Sequence, residues 1–315
     1  MELDTPFAQD SFPCPACGSA IIKPWISKEI AGVIFHLDKC CACGTGYVNP
    51  PPSMAYIKSI YSVTGHGSKS LTSFDEVMAS ESEFPNSTVD AKRMVTYAVQ
   101  LLGPQREGQG KALDIGSGYG FFSQAALDQG FNVVAVNPAI SENQIFKQLN
   151  GFEPIPQFFE EIDFGPEKFD LVILSQILEH LLNPLQVLVK IRSLLNRDGI
   201  LFVAVPNVNA LLIKLLKSKS SFLGLPEHII HFSQKGLEAI LEKAGFELKL
   251  HRYVSRIPYY AVSNRLNLHG LARKCLNYGV RIGQWAPLWL ANQFGLGLYQ
   301  DLWAMPVRPK PEAPE

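Results

Sequence analysis

From Thr88 to Leu102 the apolar residues recur at helical spacing, which predicts an amphipathic helix. The stretch that follows, "KALDIGSGYGFFSQAALDQGFNVVAVNPA", reads as strand, loop, helix and strand. Ala112 to Ile115 forms a short buried strand, Phe121 to Gln129 a helix stopped by Gly130, and Asn132 to Val136 the next parallel strand. Near-continuous apolar strands joined by a helix belong to a parallel sheet covered on both faces, so the pattern predicts an α/β chain. Upstream the pattern is weaker. "GVIFHL" suits a short β hairpin, and Pro51 or Pro52 opens a helix that carries Tyr56 and Tyr61. Residues 62–86 are rich in Ser, Gly and Glu with little periodicity, and are expected to be a mobile connector or lid. Downstream, Val208 to Lys217 reads as an amphipathic helix with lysines at one end. "LGLYQDLWAMPV" is expected to be the last, antiparallel edge strand, with a Pro-rich disordered tail at 308–315.

A chain of 315 residues, 47% of them hydrophobic, is long enough for one large core and a small domain beside it. The net charge of -1 favours no polyanionic partner, but its distribution is uneven. Residues 206–286 hold twelve Lys and Arg against four Asp and Glu, so this part is expected to face something anionic, a phosphorylated substrate or a membrane surface, or to be a solvated basic face. The acidic start "MELDTPFAQDSF" has no apolar signal core, and no apolar run approaches the ~20 residues of a spanning helix. A cytoplasmic location is therefore expected, with peripheral membrane contact open.

Four of six cysteines fall in two tight pairs, Cys14/Cys17 in "CPACG" and Cys40/Cys43 in "CCACG". Each C-x-x-C turn directs two thiolates at one ion, and the glycine behind each pair permits the tight knuckle. A four-cysteine zinc site with no open coordination position is expected, structural rather than catalytic. Redox dithiols are the alternative. The expected organisation is a zinc ribbon over 1–50, a helical connector and lid over 51–104, and the α/β domain over 105–307 with a substrate-cap insertion at 207–233.

The loop "LDIGSGYG" brings Gly116, Ser117, Gly118, Tyr119 and Gly120 close to any ligand. A dinucleotide loop is disfavoured, because Asp114 would repel a pyrophosphate and Phe121 stands where that fingerprint has a third glycine. The carboxylate instead suits the cationic amino-acid end of S-adenosylmethionine.

On these residues the chain resembles the class I S-adenosylmethionine-dependent methyltransferases. "FDLVILSQILEHLLNP", "LLNRDGILFVAVPN" and "LEAILEKAGFELKLHRY" are similar to the family's fourth strand with its helix, its fifth strand, and the helix and strand closing the sheet. The resemblance implies a doubly wound, seven-stranded sheet. It also implies cofactor contacts at Asp114, Gly116, Ser117, Gly118, Tyr119, Asn137, Glu160, Ile162, Asp163, Ser175 and Gln176. The family usually ends its second strand with an acid that binds both ribose hydroxyls; here Asn137 stands there. A lost charge-assisted bond costs about 1–2 kcal/mol, or roughly tenfold in affinity. "LEHL", with Glu179 and His180, reads first as a packed helix cap.

The series "CxxCG … NPPPS … LDIGSGYG … PEHIIHFS" resembles a narrower group, zinc-ribbon methyltransferases of sugar and polysaccharide biosynthesis. The resemblance makes His228 the general base and Glu227 its orienting partner, with Tyr61 and His231 toward substrate. The implied acceptor is a sugar, nucleotide sugar or glycan intermediate, methylated at oxygen or carbon. A lipid- or quinone-like acceptor at a membrane surface is the alternative. "NPP" is similar to the Asn-Pro-Pro-aromatic motif of nucleic-acid amino-methylating enzymes, but Pro52 replaces the aromatic residue. With only Lys23, Lys28 and Lys39 cationic in the ribbon, an RNA substrate is not expected.

Overall fold

The computed structural model describes residue 7 and residues 12–64, 71, 73–83, 86–103, 110–255, 270–283 and 285–308. In chain order its elements are β1 (Ile22–Ile30), β2 (Val33–Cys40), β3 (Gly46–Val48), α1 (Met54–Thr64), α2 (Phe74–Glu83), α3 (Asn86–Leu102), β4 (Lys111–Ile115), α4 (Phe121–Asp128), β5 (Asn132–Val136) and α5 (Ile140–Asn150). There follow β6 (Phe169–Ser175), α6 (Pro184–Leu194), β7 (Leu195–Pro206), α7 (Leu211–Leu216), β8 (Ile230–His231), α8 (Gln234–Lys243), β9 (Phe246–Val254), α9 (Gly270–Gly283), α10 (Trp285–Gln293) and β10 (Tyr299–Pro306).

Two sheets organise the chain. The larger runs in the order β5-β4-β6-β7-β10-β9, with β5, β4, β6 and β7 parallel and β10 antiparallel to both its neighbours. β6 is buried along nearly its whole length because helices cover both faces. Leu171 and Ile173 pack with α3 and α4, whereas Val172 and Leu174 pack on the side of α6 and α8. The mixed α/β sheet agrees with the sequence pattern, with two corrections. Six strands pair among the described residues, and where a seventh would flank β5 a single parallel bridge joins Val136 to Ile155. The final strand is not at the edge. β10 lies between β7 and β9, with Trp303 fully buried and its indole donating to the Met94 carbonyl at 3.1 Å. Its many large apolar residues are those of a strand covered on both faces.

The smaller sheet has the order β1-β2-β3-β8. β1 and β2 turn at Ala31-Gly32, both at positive φ, as a tight hairpin requires. β8 comes from the segment after β7, so a piece of the insertion completes the sheet of the cysteine region. Ser233 Oγ donates to the Cys43 carbonyl at 2.7 Å while accepting from the Gly236 amide, which caps α8 onto the same region. The two sheets share one apolar core, with Phe35, Leu37 and Tyr47 continuous with Leu237 and Ile240.

Three local expectations change. Within residues 62–86, expected to be a mobile connector or lid with little periodicity, α2 forms a helix whose Val77 is buried. The helix expected over Val208 to Lys217 is only the six residues of α7. The tail lies outside the described residues apart from Arg308, which pairs with Asp198 at 2.9 Å.

Candidate active site

The parallel strands β4, β5 and β6 end side by side, and their loops form the site. At the end of β4, Gly116 and Ser117 both donate backbone N–H bonds to the Val136 carbonyl, at 2.8 and 3.1 Å, tying the glycine loop to β5. Gly116 has φ 68, and a Cβ there would stand 2.1 Å from Ile177 Cδ1, so the loop requires glycine. The buried Ser117 hydroxyl has no hydrogen-bond partner among the described residues. Such an orphan is the mark of a group waiting for a ligand. Tyr119 donates to the Leu71 carbonyl at 3.1 Å. Asp114 turns inward: its carboxylate accepts from Ser123 Oγ at 2.7 Å, and burial pushes its pKa up to about 6. It anchors α4 beneath the loop.

A cleft opens beside Gly116. Asn137, Pro138 and Ala139 lie along it, Phe158, Phe159 and Glu160 extend it, and Leu181 and Leu182 with Met54 and Ile57 of α1 close it. An apolar slot next to a buried amide fits a nucleoside, the base between hydrocarbon walls and the sugar at Asn137. Of the other residues expected there, Ile162 offers its carbonyl to Lys190 Nζ at 2.6 Å, and Asp163 caps an exposed turn through the Gly165 amide at 2.8 Å. Phe158 and Phe159 line the cleft and were not singled out from the sequence.

Ser175 and Gln176 line a different cavity with Asn86, Asp90, Phe222, Tyr299 and Asp301. Ile177 belongs to the first cleft, so the end of β6 is the wall between the two. Gln176 has φ 57, a left-handed conformation that a glutamine adopts only where its surroundings impose it. Asp301 is buried and accepts from Arg93 at 3.1 Å, and Arg93 also reaches Asp90 at 2.8 Å.

His228 sits near the first cleft. Its ring meets that of His180 edge-on at 4.8 Å, and His180 itself lines the cleft. Glu227 was expected to orient His228; the structure also sets Glu179 and His180 near that ring. His180 Nδ1 bonds the Glu227 backbone carbonyl at 2.9 Å, and Glu179 lies 4.0 Å from His180 Nε2. The Glu227 carboxylate faces Tyr56 and, after burial, is the second cause raising that phenol's pKa. Ligand atoms of Glu179, His180 and His228 all lie within 4.8 Å of one another. His231 is elsewhere. It is 1% exposed in β8, edge-on to Trp25 at 6.1 Å, and burial lowers its pKa to about 3. Tyr61 falls in α1, but its side chain lies outside the described residues.

Glu179 is fully buried, neither carboxylate oxygen has a hydrogen-bond partner among the described residues, and burial pushes its pKa up to about 8. Since the unfolded group has its pKa near 4.5, the folded state binds the extra proton between these values, and stability falls as pH rises from about 4.5 to 8. The steepest contribution is about 1.4 kcal/mol per pH unit. Thermal unfolding of Glu179→Gln across pH 5 to 8 is expected to show a flatter slope than the wild type; an unchanged slope would remove Glu179 as its source.

The four cysteines converge. Cys14 Sγ lies 3.6 Å from Cys43 Sγ and Cys17 Sγ 3.5 Å from Cys40 Sγ, with all four sulfurs within 4.8 Å of one another. Tetrahedral zinc with ~2.3 Å bonds to sulfur needs sulfurs about 3.8 Å apart, so the set fits. Gly18 and Gly44 follow the knuckles at φ 76 and 82. The hydrogen bond with Cys14 lowers the Cys43 thiol to about 4.

An antiparallel strand set between the last parallel strand and the edge strand, and a glycine loop over the end of β4, make the frame of the site. Residues 90–251 match the family described as Methyltransferase domain, and the chain belongs to that family. It is 29% identical over 110 residues to a ubiquinone biosynthesis O-methyltransferase of Glaesserella parasuis, covering 32% of this chain and 47% of that protein. A protein of the same name from Haemophilus ducreyi is 33% identical over 107 residues, covering 31% and 45%. The chain thus spans less than half the length of these relatives. Among solved structures it is similar to a SAM-dependent methyltransferase from Archaeoglobus fulgidus (18% identity, TM-score 0.49, 73% of this chain and 99% of that one). It is also similar to coclaurine N-methyltransferase bound to N-methylheliamine and SAH (14% identity, TM-score 0.46, 70% of each).

Proposed function

We propose that this chain transfers the methyl group of S-adenosylmethionine to a small hydroxylated acceptor, with a sugar, nucleotide sugar or glycan intermediate as the first class. The observation that carries this is the pair of cavities divided by the end of β6. One is an apolar slot with a buried amide and an orphan serine. The other is rimmed by Asn86, Asp90, Ser175, Gln176, Tyr299 and Asp301, donors and acceptors suited to several hydroxyls.

S-adenosylmethionine supplies an activated methyl group on a cationic sulfur. The chain's own residues do the rest. The glycine loop and Asn137 hold the donor, and Phe158 and Phe159 keep water from its base. Gln176 and Ser175 fix the approach of the acceptor, so that reacting atoms meet in line. His228, seated against His180, accepts the proton that the acceptor hydroxyl releases. The four cysteines hold a structural zinc that fixes β3, and through it β8 and the segment carrying His228.

A quinone-like acceptor at a membrane surface is the second reading. The names of the curated relatives favour it, as do the exposed Leu211, Leu215 and Leu216 beside Lys214 of α7. No described helix is long and apolar enough to cross a membrane. The test is release of S-adenosylhomocysteine by zinc-loaded protein with nucleotide sugars, lipid-linked glycans and hydroxylated quinone precursors. Turnover with the first two supports the favoured reading, and turnover confined to the third replaces it.

A further inference from the structure

The family acid at the end of the second strand is missing here, and β5 runs into Asn137 instead. The structure shows where a carboxylate has gone. Both protons of the Asn137 amide are committed: Nδ2 donates to Glu142 Oε2 at 3.1 Å and to Asn143 Oδ1 at 2.9 Å. Asn143 Nδ2 in turn donates to the Asn137 carbonyl at 3.0 Å, so the side chain is locked with Oδ1 as the group left for a ligand. Glu142, in the first turn of α5, is only 2% exposed and yet lines the same cleft as Gly116 and Asn137. Its carboxylate points at the glycine loop, since a Cβ on Gly118 would come 3.9 Å from Oε2. A buried acid between strand end and glycine loop stands where a nucleoside sugar would lie.

We propose that Glu142 supplies the carboxylate that accepts a ribose hydroxyl of the methyl donor, paired with Asn137 Oδ1 for the other. Two acceptors from neighbouring elements thereby do what two oxygens of one strand-end acid do. The proposal rests on the methyl-donor reading of this cleft. It also alters what Asn137 means: the carboxyl group lost from the strand end returns from the first turn of α5. A purely structural Glu142, serving only to orient Asn137 and favour the start of α5, would be indifferent to the hydroxyls of the ligand.

The test is calorimetric titration with S-adenosylhomocysteine and with its 2′-deoxy and 3′-deoxy analogues. Wild type is expected to prefer the parent ligand to each analogue by about tenfold. Glu142→Gln should lose about tenfold in affinity for S-adenosylhomocysteine and lose most of the preference over one of the two analogues. Asn137→Asp alone, which restores the family acid but sets two carboxylates about 3 Å apart, should weaken binding rather than strengthen it. The exchange Asn137→Asp with Glu142→Gln should return affinity to within about threefold of wild type, because one carboxylate and one amide again face the sugar. Tighter binding by Asn137→Asp, or equal loss of all three ligands in Glu142→Gln without rescue by the exchange, would overturn the assignment alone. Failure of wild type to bind S-adenosylhomocysteine would overturn the donor reading and this assignment with it.

Discussion

Replacing His228 with Asn is expected to cut turnover by about 10²- to 10⁴-fold while the affinity for S-adenosylhomocysteine stays within about twofold. Positioned proton transfer is worth a factor of this size, and the His228 ring meets that of His180, which lines the donor cleft. Asparagine keeps a polar group of similar reach but cannot take up a proton. His180→Asn is expected to lower turnover without abolishing it, because His180 seats the other ring and is itself held by the Glu227 carbonyl at 2.9 Å. If His228→Asn lowered donor affinity and melting temperature together and left turnover per folded molecule intact, the ring would be packing and the base would have to be sought elsewhere.

The second large effect concerns the cysteines. Purified protein is expected to hold one zinc per chain by elemental analysis, and Cys14→Ser to lose it. Structural zinc in small peptides is worth about 10–16 kcal/mol of folding free energy, and here it adds to the apolar core that Phe35 and Leu37 already give the hairpin. The damage should not stay local. Val48 donates to the Ile229 carbonyl at 2.8 Å, Tyr47 pairs with Ile230, and Lys28 reaches the Ser220 carbonyl at 3.1 Å, so the segment around His228 leans on the ribbon. Turnover should therefore fall by more than about tenfold while donor binding largely survives, since Gly116 and Asn137 directly follow β4 and β5 of the larger sheet. A fully active Cys14→Ser protein would mean that the sulfurs hold no ion that matters to the site.

Much of this was legible because the signals are local. Strand, glycine loop, helix and strand lie within a few residues of one another, and β5 begins and ends where its apolar run does. The cysteine pairs declare themselves by spacing, and the positive φ of Gly18 and Gly44 follows from the knuckle. Contacts between distant segments were not legible. That β10 enters the middle of the sheet depends on β9 passing beyond it, which no periodicity records. That His228 meets His180 depends on a residue 48 positions away. Glu142 was hidden for a subtler reason: five residues after Asn137, across a proline turn, it reads as an ordinary acid opening a helix. A faint signal existed, since an acid in the first turn of that helix is only 2% exposed here and such acids are normally solvated.

The smaller sheet also sets an order of events during synthesis. β3 leaves the ribosome early, yet its outer neighbour β8 is made more than 180 residues later. Until then the nascent ribbon presents an unpaired edge, and folding of the first fifty residues cannot be completed by those residues alone. β10, made after both β7 and β9, then has to insert between them. Both sheets are thus completed by segments made later than the strands they join, and such long-range pairing slows folding.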